Sequence, residues 1–454
     1  MIAAAFWPGV AMYDTVTQYR QVLDGAVDDW HPPAMVQLWR TLAPLGSGTA
    51  PIFALQVALY VAGFTLIVIA IARVARTRAL AAVLVLALSP LLVGWQMVVL
   101  KDAHMEGALL AATGIFAFFS LAGRRTPSIA MIAMATLLIY ATLVRANAVF
   151  ATVPLAVILF LGGQKFRVQA AIGAVMIIAV LAVTPTINER LFAASPSGVA
   201  KSLPVYDLAA LAVDGKSRVP PFDDVQIRQL RRSGCVMPFF WDPLTEVPEC
   251  AAATASAIAL SQRDLNRDLV SAVMKHPVDY AAHRLAHWNS TQRWLVPAGL
   301  IGAAPPDEAE PNDLGLASPK SRFAAVWQDA ARIQSATPLG WPIVWTLVAA
   351  GLLPVAVRRR NDRAGRLALA LVVSALTLEM SFLVVSIASD LRYHLWSMTA
   401  SALALILLAP RIERRHWVSG AAVLALVIAG GLTTRAISPR APDNYAQMVR
   451  WQGA

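Results

Sequence analysis

Apolar residues in this chain come in long blocks separated by short polar gaps. Ten blocks, at 52–72, 79–99, 105–122, 127–144, 147–162, 168–187, 339–357, 367–389, 395–410 and 417–433, predict membrane-crossing helices, since roughly 20 apolar residues cover a hydrocarbon core of about 30 Å. A further apolar stub at 1–10 is too short to span alone. It reads as a first crossing truncated by the start site, or as a segment entering part of the bilayer, and with it the count is eleven. No charged stretch precedes it, so no cleavable signal peptide is expected. From 188 to 338 apolar runs vanish and Pro, Asp, Arg and Gln rise, which predicts one modest domain. Helical periodicity covers 254–294, with Pro277 opening a second helix and His283 and His287 four apart on one face. The stretch 301–319, rich in Ala, Pro, Asp and Glu, reads as a flexible acidic loop.

The gaps set the sidedness. Alternate connections carry Arg73, Arg76 and Arg78; Arg124 and Arg125; Lys165 and Arg167; Arg358 to Arg360 with Arg366; and Arg411, Arg414 and Arg415. Short basic loops remain cytoplasmic. The N-terminus is therefore expected inside, and the segments 11–51, 100–104, 145–146, 188–338, 390–394 and 434–454 outside. The chain divides into an N-terminal membrane module (1–187) with its first outer loop (11–51), an extracytoplasmic domain (188–338), C-terminal membrane helices (339–433) and an outer tail (434–454). The expected class is an all-α polytopic protein of the cell inner membrane, with about 10–11 transmembrane helices and a mainly helical extracytoplasmic domain.

Composition agrees with that picture. Of 454 residues, 57% are hydrophobic and 14% charged, where soluble domains carry about 25% charged residues. The net charge of +11 sits in the basic loops, so it marks topology and not a nucleic-acid partner. Both cysteines, Cys235 and Cys250, lie in the outer segment, where an oxidising compartment favours a disulfide; two free thiols are the alternative.

Candidate chemistry gathers on the outer side. The first loop holds Asp14, Asp29 and His31, with His31 directly before Pro32-Pro33. Lys101, Asp102, His104 and Glu106 follow one apolar block; Arg145 lies at the next outer turn; Asp390, Arg392, Tyr393 and His394 lie between two late helices. Ionisable groups at membrane depth are expensive and face cavities, so these turns suggest one shared outward-facing site. Each residue also has a plainer role open to it. Asp14 can act as a helix N-cap. Asp102 can simply pair with Lys101. Lys101, Arg145 and Arg392 can snorkel to the headgroups, and His31 can be a structural hydrogen-bonding group. No HExxH and no Cys/His zinc spacing is present, and a third ligand beside His283 and His287 is not visible. A divalent cation at Asp102 or His31 stays open. Walker A and GxGxxG signatures are absent, which argues against a nucleotide sugar held by a phosphate loop.

Tyr13-Asp14 and Asp29-Trp30-His31-Pro32-Pro33 resemble the first outer loop of the GT-C superfamily of membrane glycosyltransferases, which includes protein O-mannosyltransferases and lipid A aminoarabinose transferases. That family places an acidic residue after the first helix and a K/H-P-P element in a juxtamembrane helix. Lys101-Asp102 looks like its second acidic position, and Asp390-Leu391-Arg392-Tyr393 resembles its late R-Y element. The resemblance implies sugar transfer from a polyprenyl-phosphate carrier to an envelope glycan or lipid acceptor on the outer face, with inversion. Asp14 and Asp102 would be the catalytic acids. His31, Lys101, Arg145, Arg392 and Tyr393 would hold the donor phosphate. Asp29, His104, Glu106 and His394 would contact the acceptor. The stubby first helix and the large domain inside the chain depart from the family's usual plan. Two rivals stand beside it: an O-antigen polymerase or ligase, supported by Arg228, Arg231, Arg232, Arg284 and His287 in the large outer segment, and a lipid or solute transporter.

Overall fold

The computed structural model describes residues 2–74, 77–215 and 219–451; Arg76 of the first basic loop and the last three tail residues lie outside these ranges. Among the described residues there are helices and isolated bridges but no strand. The chain begins with a single turn, α1 (Ile2–Ala5). Two short helices of the first loop follow, α2 (Tyr13–Asp24) and α3 (Ala34–Leu42).

The first membrane helices are α4 (Ala50–Ala72), α5 (Thr77–Ala87), α6 (Pro90–Gln96), α7 (Lys101–Ser120), α8 (Ser128–Val144), α9 (Val149–Phe160) and α10 (Phe166–Thr186). The segment 188–338 supplies α11 (Ser202–Asp214), α12 (Asp224–Arg232), α13 (Pro243–Glu246), α14 (Pro248–Ala259), α15 (Gln262–Lys275), α16 (Pro277–Thr291) and α17 (Arg322–Ala336). The chain then returns through α18 (Pro342–Arg358), α19 (Arg363–Val385), α20 (Leu395–Leu408) and α21 (Arg414–Ile437), and ends on the short α22 (Tyr445–Met448).

Six of these segments are long and apolar enough to cross a membrane: Ala50–Ala72, Lys101–Ser120, Phe166–Leu191, Arg363–Val385, Leu391–Arg411 and Arg414–Ile437. The block at 79–99, expected as one crossing, is instead a pair of helices bent by 48° between α5 and α6. Pro90 explains the break: it lacks an N–H for the helical ladder and disfavours helix at the residue before it. Three further apolar helices, Ser128–Val144, Ala146–Phe160 and Pro342–Arg358, are shorter. Every block expected to cross thus falls on a helix, but only six are full-length.

The eleventh crossing is absent from the described residues. Four helical residues rise only about 6 Å, and α1 packs against α17. The first residues therefore lie at the same end as α17, not at the basic end expected for the N-terminus.

Burial sorts the long helices. In α7, α19 and the Leu391–Arg411 segment, 78%, 61% and 72% of the most apolar window is buried; in α10 and α21 the shares are 0% and 6%. The first three form the centre and the last two face outward. α4 packs closely on α7 through small residues: a Cβ on Gly63 would come 2.6 Å from the Leu110 backbone, and one on Gly114 2.6 Å from the Gly63 carbonyl. The basic connections gather at one end, where Gly123 faces Arg363, Gly162 faces Arg366, and Arg411 approaches Asp362 at 3.6 Å.

The segment 188–338 has its own apolar core, built on Tyr206, Phe222, Leu244 and Leu265 and joined by Ala441, Met448 and Val449 of the tail. Cys235 and Cys250 form a disulfide within it. Pro277 opens α16 as expected. The boundary at 338 needs correction: α17 packs on α6, and its Ala324 belongs to the membrane core. The acidic stretch 301–319 is irregular but tethered. Glu310 N–H donates to the Ala11 carbonyl at 2.7 Å, and Arg20 pairs with Asp313.

Candidate functional site

Stretches far apart in sequence meet at the end of the bundle opposite the arginine loops. The first join is main-chain. Gly9, at φ +101°, turns the chain where a Cβ would come 2.6 Å from Val99 and 2.7 Å from Phe53. Val10 then pairs with the extended segment between α6 and α7: its N–H donates to the Met97 carbonyl at 3.0 Å, and Val99 N–H donates to the Val10 carbonyl at 2.9 Å. The buried Gln56 side chain holds that segment from the other side. Its Nε2 donates to the carbonyls of Gln96 and Val98, and its Oε1 accepts from Leu100 N–H. The Thr15 hydroxyl donates to the Val99 carbonyl at 2.6 Å, fixing α2 against it.

These joins bring Asp14 beside Lys101. Lys101 is the first residue of α7, not part of a loop at 100–104. Asp14 is not a cap either. Met12 holds the N-cap position, and Asp14 lies in the first turn of α2. Asp14 Oδ2 accepts from Lys101 Nζ at 2.9 Å and from Arg392 Nη1 at 3.0 Å. Lys101 Nζ also donates to His31 Nδ1 at 2.7 Å. Arg392 Nε donates to Asp390 Oδ2 at 3.0 Å. The Asp14, Lys101 and Arg392 side chains are only 11%, 12% and 8% exposed.

A second pair adjoins the first. Asp102 is bound by Arg145, not by its neighbour Lys101. The Arg145 guanidinium lies 4.2 Å from the Tyr393 ring centre and that of Arg392 5.4 Å from it, so Tyr393 stands between the two ion pairs. None of the three cations snorkels away; each points at a carboxylate.

Burial works to raise the Asp14 carboxyl, but the positive charges of Arg392 and Lys101 override it and hold it well below the usual range. Burial and the Lys101 charge lower His31 to about 3. His31 is therefore neutral near pH 7. With Nδ1 accepting from Lys101, its proton sits on Nε2, and that buried N–H has no hydrogen-bond partner.

Other expected contacts lie elsewhere. Asp29 is at the surface, where its Oδ1 accepts from the Ser197 N–H and hydroxyl at 2.6 Å, tying the first loop to the segment 188–338. His104, Glu106 and His394 are fully buried inside the bundle. His104 Nδ1 lies 2.9 Å from the Tyr140 hydroxyl, Glu106 accepts from Thr399 and Gln96, and His394 pairs with Glu379. They pack the bundle and do not line the cluster. His283 pairs with Asp207, and His287 lies 2.7 Å from the Pro238 carbonyl, so neither waits for a metal. Among the described residues no three His, Cys, Asp or Glu side chains are grouped to hold a metal ion, and Asp14 and Asp102 are occupied by cationic side chains. These residues do not fit a divalent cation.

Sequence reasoning misses Trp241 and Asp242. Trp241 N–H donates to the Ile387 carbonyl at 3.0 Å and the Ser389 hydroxyl to the Phe239 carbonyl at 2.7 Å, which sets this strip beside Asp390. Trp241 meets Trp30 at 6.1 Å between ring centres. Asp242 accepts from the Tyr445 hydroxyl at 3.0 Å. Burial raises its carboxyl to about 6 against that hydrogen bond, and the charge of Asp390 adds to the rise. The aromatic run Phe239-Phe240-Trp241 in an otherwise polar segment was the available signal.

Compared with family models, curated proteins and solved structures, the chain matches none.

Proposed function

We propose that the protein is a membrane glycosyltransferase of GT-C-like plan, moving a sugar from a polyprenyl phosphate to an envelope glycan or lipid. The bent pair and the three shorter helices complete ten crossings, with the basic loops in the cytoplasm and the Asp14 cluster on the outer face of the inner membrane. The observation that carries this proposal is the buried set Asp14, His31, Lys101 and Arg392. It combines two cations and an unpartnered imidazole N–H around one carboxylate. A buried donor without an acceptor, such as the His31 N–H, is costly, and two cations sharing one carboxylate can turn to an anion such as a phosphate.

The chemistry balances without a metal. The acceptor hydroxyl oxygen bonds to the anomeric carbon as the bond from that carbon to the phosphate oxygen breaks. The electron pair leaves on the polyprenyl phosphate, and the hydroxyl proton passes to Asp14. In the resting arrangement Asp14 is a weak base, because Lys101 and Arg392 hold its charge. A phosphate drawing those two cations to itself frees the carboxylate to take a proton, so donor binding and base strength are coupled. Trp30, next to His31 in sequence and exposed, meets the half-buried Trp241, and such aromatic surface suits the apolar face of a sugar ring.

The polymerase alternative draws on Arg228, Arg231, Arg232, Arg284 and His287, of which Arg228 and Arg232 are exposed and Arg231 donates to the carbonyls of Val213, Ala212 and Gly215. Arg284 is buried, donating to Asp207 at 2.9 Å and to the carbonyls of Ser386 and Val384, and His287 is turned to a backbone carbonyl. The engagement of Arg231, Arg284 and His287 in packing favours the first proposal. The test is transfer by membranes carrying wild type or Asp14→Asn, with radiolabelled polyprenyl-phosphate sugars. Loss of a general base predicts a fall of about 10²-fold or more at equal protein level. Equal rates would reject Asp14 as the base, and an absence of transfer from any such donor by wild type would reject the activity.

A further inference from the structure

At the arginine end, about 30 Å along α7 from Lys101, a cavity of about 390 Å³ opens between α4, α5, α7, α19 and α20. Its mouth is lined by Asn361, Asp362, Arg363 and Arg411, and its walls by apolar side chains including Ile71 and Leu407. Two of the mouth side chains, those of Asn361 and Arg363, are exposed and have no ion-pair or hydrogen-bond partner among the described residues. The Arg363 guanidinium nevertheless has a defined place. It lies against Gly123, where a Cβ would come within 2.5 Å of it. Arg411 donates to the Leu407 carbonyl at 2.9 Å and sits 3.6 Å from Asp362. Asp362 is turned to the start of α19, its Oδ1 accepting from Gly365 N–H at 2.6 Å. The mouth thus has one partly engaged carboxylate against two guanidiniums. Behind Ile71, Leu121 and Leu407 the bundle closes: the space bounded by Ile67, Leu371 and Leu403 is only about 10 Å³, so an acyl chain would lie along the apolar wall of the cavity and not inside the bundle.

We infer that this cavity binds the headgroup of an anionic phospholipid from the adjoining leaflet, with the phosphate between Arg363 and Arg411. Charge complementarity selects an anion, the guanidinium geometry suits phosphate oxygens, and the apolar wall places an acyl chain at bilayer depth. The site is separate from the Asp14 cluster and independent of the proposed activity.

The test uses the full-length protein in detergent, with thermal unfolding followed by tryptophan fluorescence. Dioleoyl-phosphatidylglycerol, dioleoyl-phosphatidylcholine and inorganic phosphate are added separately. A ligand bound only by the folded protein raises the midpoint. Phosphatidylglycerol is expected to raise it by at least about 2 °C over phosphatidylcholine, and Arg363→Ala with Arg411→Ala should abolish that difference. Arg359→Ala with Arg360→Ala, basic residues of the same loop that do not line the cavity, should keep it. If the double cavity variant unfolds before lipid is added, Arg363→Ala alone decides, since its side chain holds no other group. An equal shift with both lipids, or a shift that survives the cavity variants, would overturn the inference. A shift with inorganic phosphate alone would assign the site to a soluble phosphate and overturn the lipid assignment.

Discussion

The Asp14 carboxylate is shared by two cations, so each partner of the set has a distinct expected phenotype. Lys101→Met removes the donor to both Asp14 and His31. Breaking a buried charge pair by deleting one partner costs about 3–5 kcal/mol, so a midpoint several degrees lower is expected in thermal unfolding. Arg392→Lys keeps the charge but cannot serve Asp14 and Asp390 from one rigid fork. Transfer is expected to fall while thermal stability changes less, and an unaltered rate would remove Arg392 from the site. pH offers a third measurement. His31 is lowered to about 3 in the folded protein. The unfolded chain therefore takes up its proton first, and stability present above about pH 6.5 is lost as pH falls toward 3. His287, lowered to about 3 by burial and then by the Arg284 charge, acts in the same sense. Asp242, raised to about 6, acts oppositely between about 3.8 and 6. His31→Gln should make the midpoint less sensitive between pH 7 and 5; an unchanged slope would mean that the imidazole titrates alike in the folded and unfolded chain. At this scale the motif residues Asp14, His31, Lys101, Arg145, Arg392 and Tyr393 were readable in the sequence because charge is rare in so apolar a chain. Their pairings were not. Nothing in Lys101-Asp102 tells that the two neighbours face different partners, Asp14 and Arg145.

At the scale of elements, the blocks of apolar residues located the helices within a few residues, and failures follow identifiable causes. Pro90 broke one block because the missing N–H outweighs its apolar surroundings. α17 was assigned to the soluble segment because its composition is polar, yet the face carrying Ala324 and Gln328 is buried against α6. Asp29, His104, Glu106 and His394 were grouped with the site by proximity in sequence. Helix geometry separates His104 and Glu106 from Asp102, since a residue two or four places along α7 points to another face or depth, while Asp29 lies in a bend held by Ser197 and His394 is turned to Glu379. The close approach of α4 and α7 supplies a measurable consequence. Gly114→Val would drive a side chain into the Gly63 carbonyl and the Leu66 side chain. Overpacking costs about 1–3 kcal/mol, so lower thermal stability is expected, along with weaker transfer as Lys101 shifts. Unchanged unfolding would mean that the two helices part without penalty.

For the whole molecule, alternating basic loops predicted which connections share an end, and the structure gathers Arg363, Arg366 and Arg411 with the 121–124 and 161–163 turns accordingly. The tail returns to the opposite end, where Ala441 N–H donates to the Ala298 carbonyl at 2.9 Å. Single cysteines introduced at Asn361 and Asp313, in a background with Cys235 and Cys250 replaced by serine, should be labelled by an impermeant maleimide from opposite faces of the membrane. Labelling from one face would refute the topology. The disulfide closes a loop of 15 residues, for which chain entropy gives about 3 kcal/mol, so reduction should lower the unfolding midpoint of the outer segment. The compartment argument pointed to this bond; the contribution of the tail to the same core was invisible, because Met448 and Val449 are ordinary residues in a polar stretch.

The pairing of Val10 with the segment before α7 has one more consequence. Peptide groups make that join, and every residue other than proline carries the same peptide N–H and C=O. The amino acids at Val10, Met97 and Val99 can drift among shapes that fit while Asp14 and Lys101 keep their separation. The geometry of the cluster is thus inherited through backbone joinery, and descendants of this chain can diverge widely there without loosening the charges they hold together.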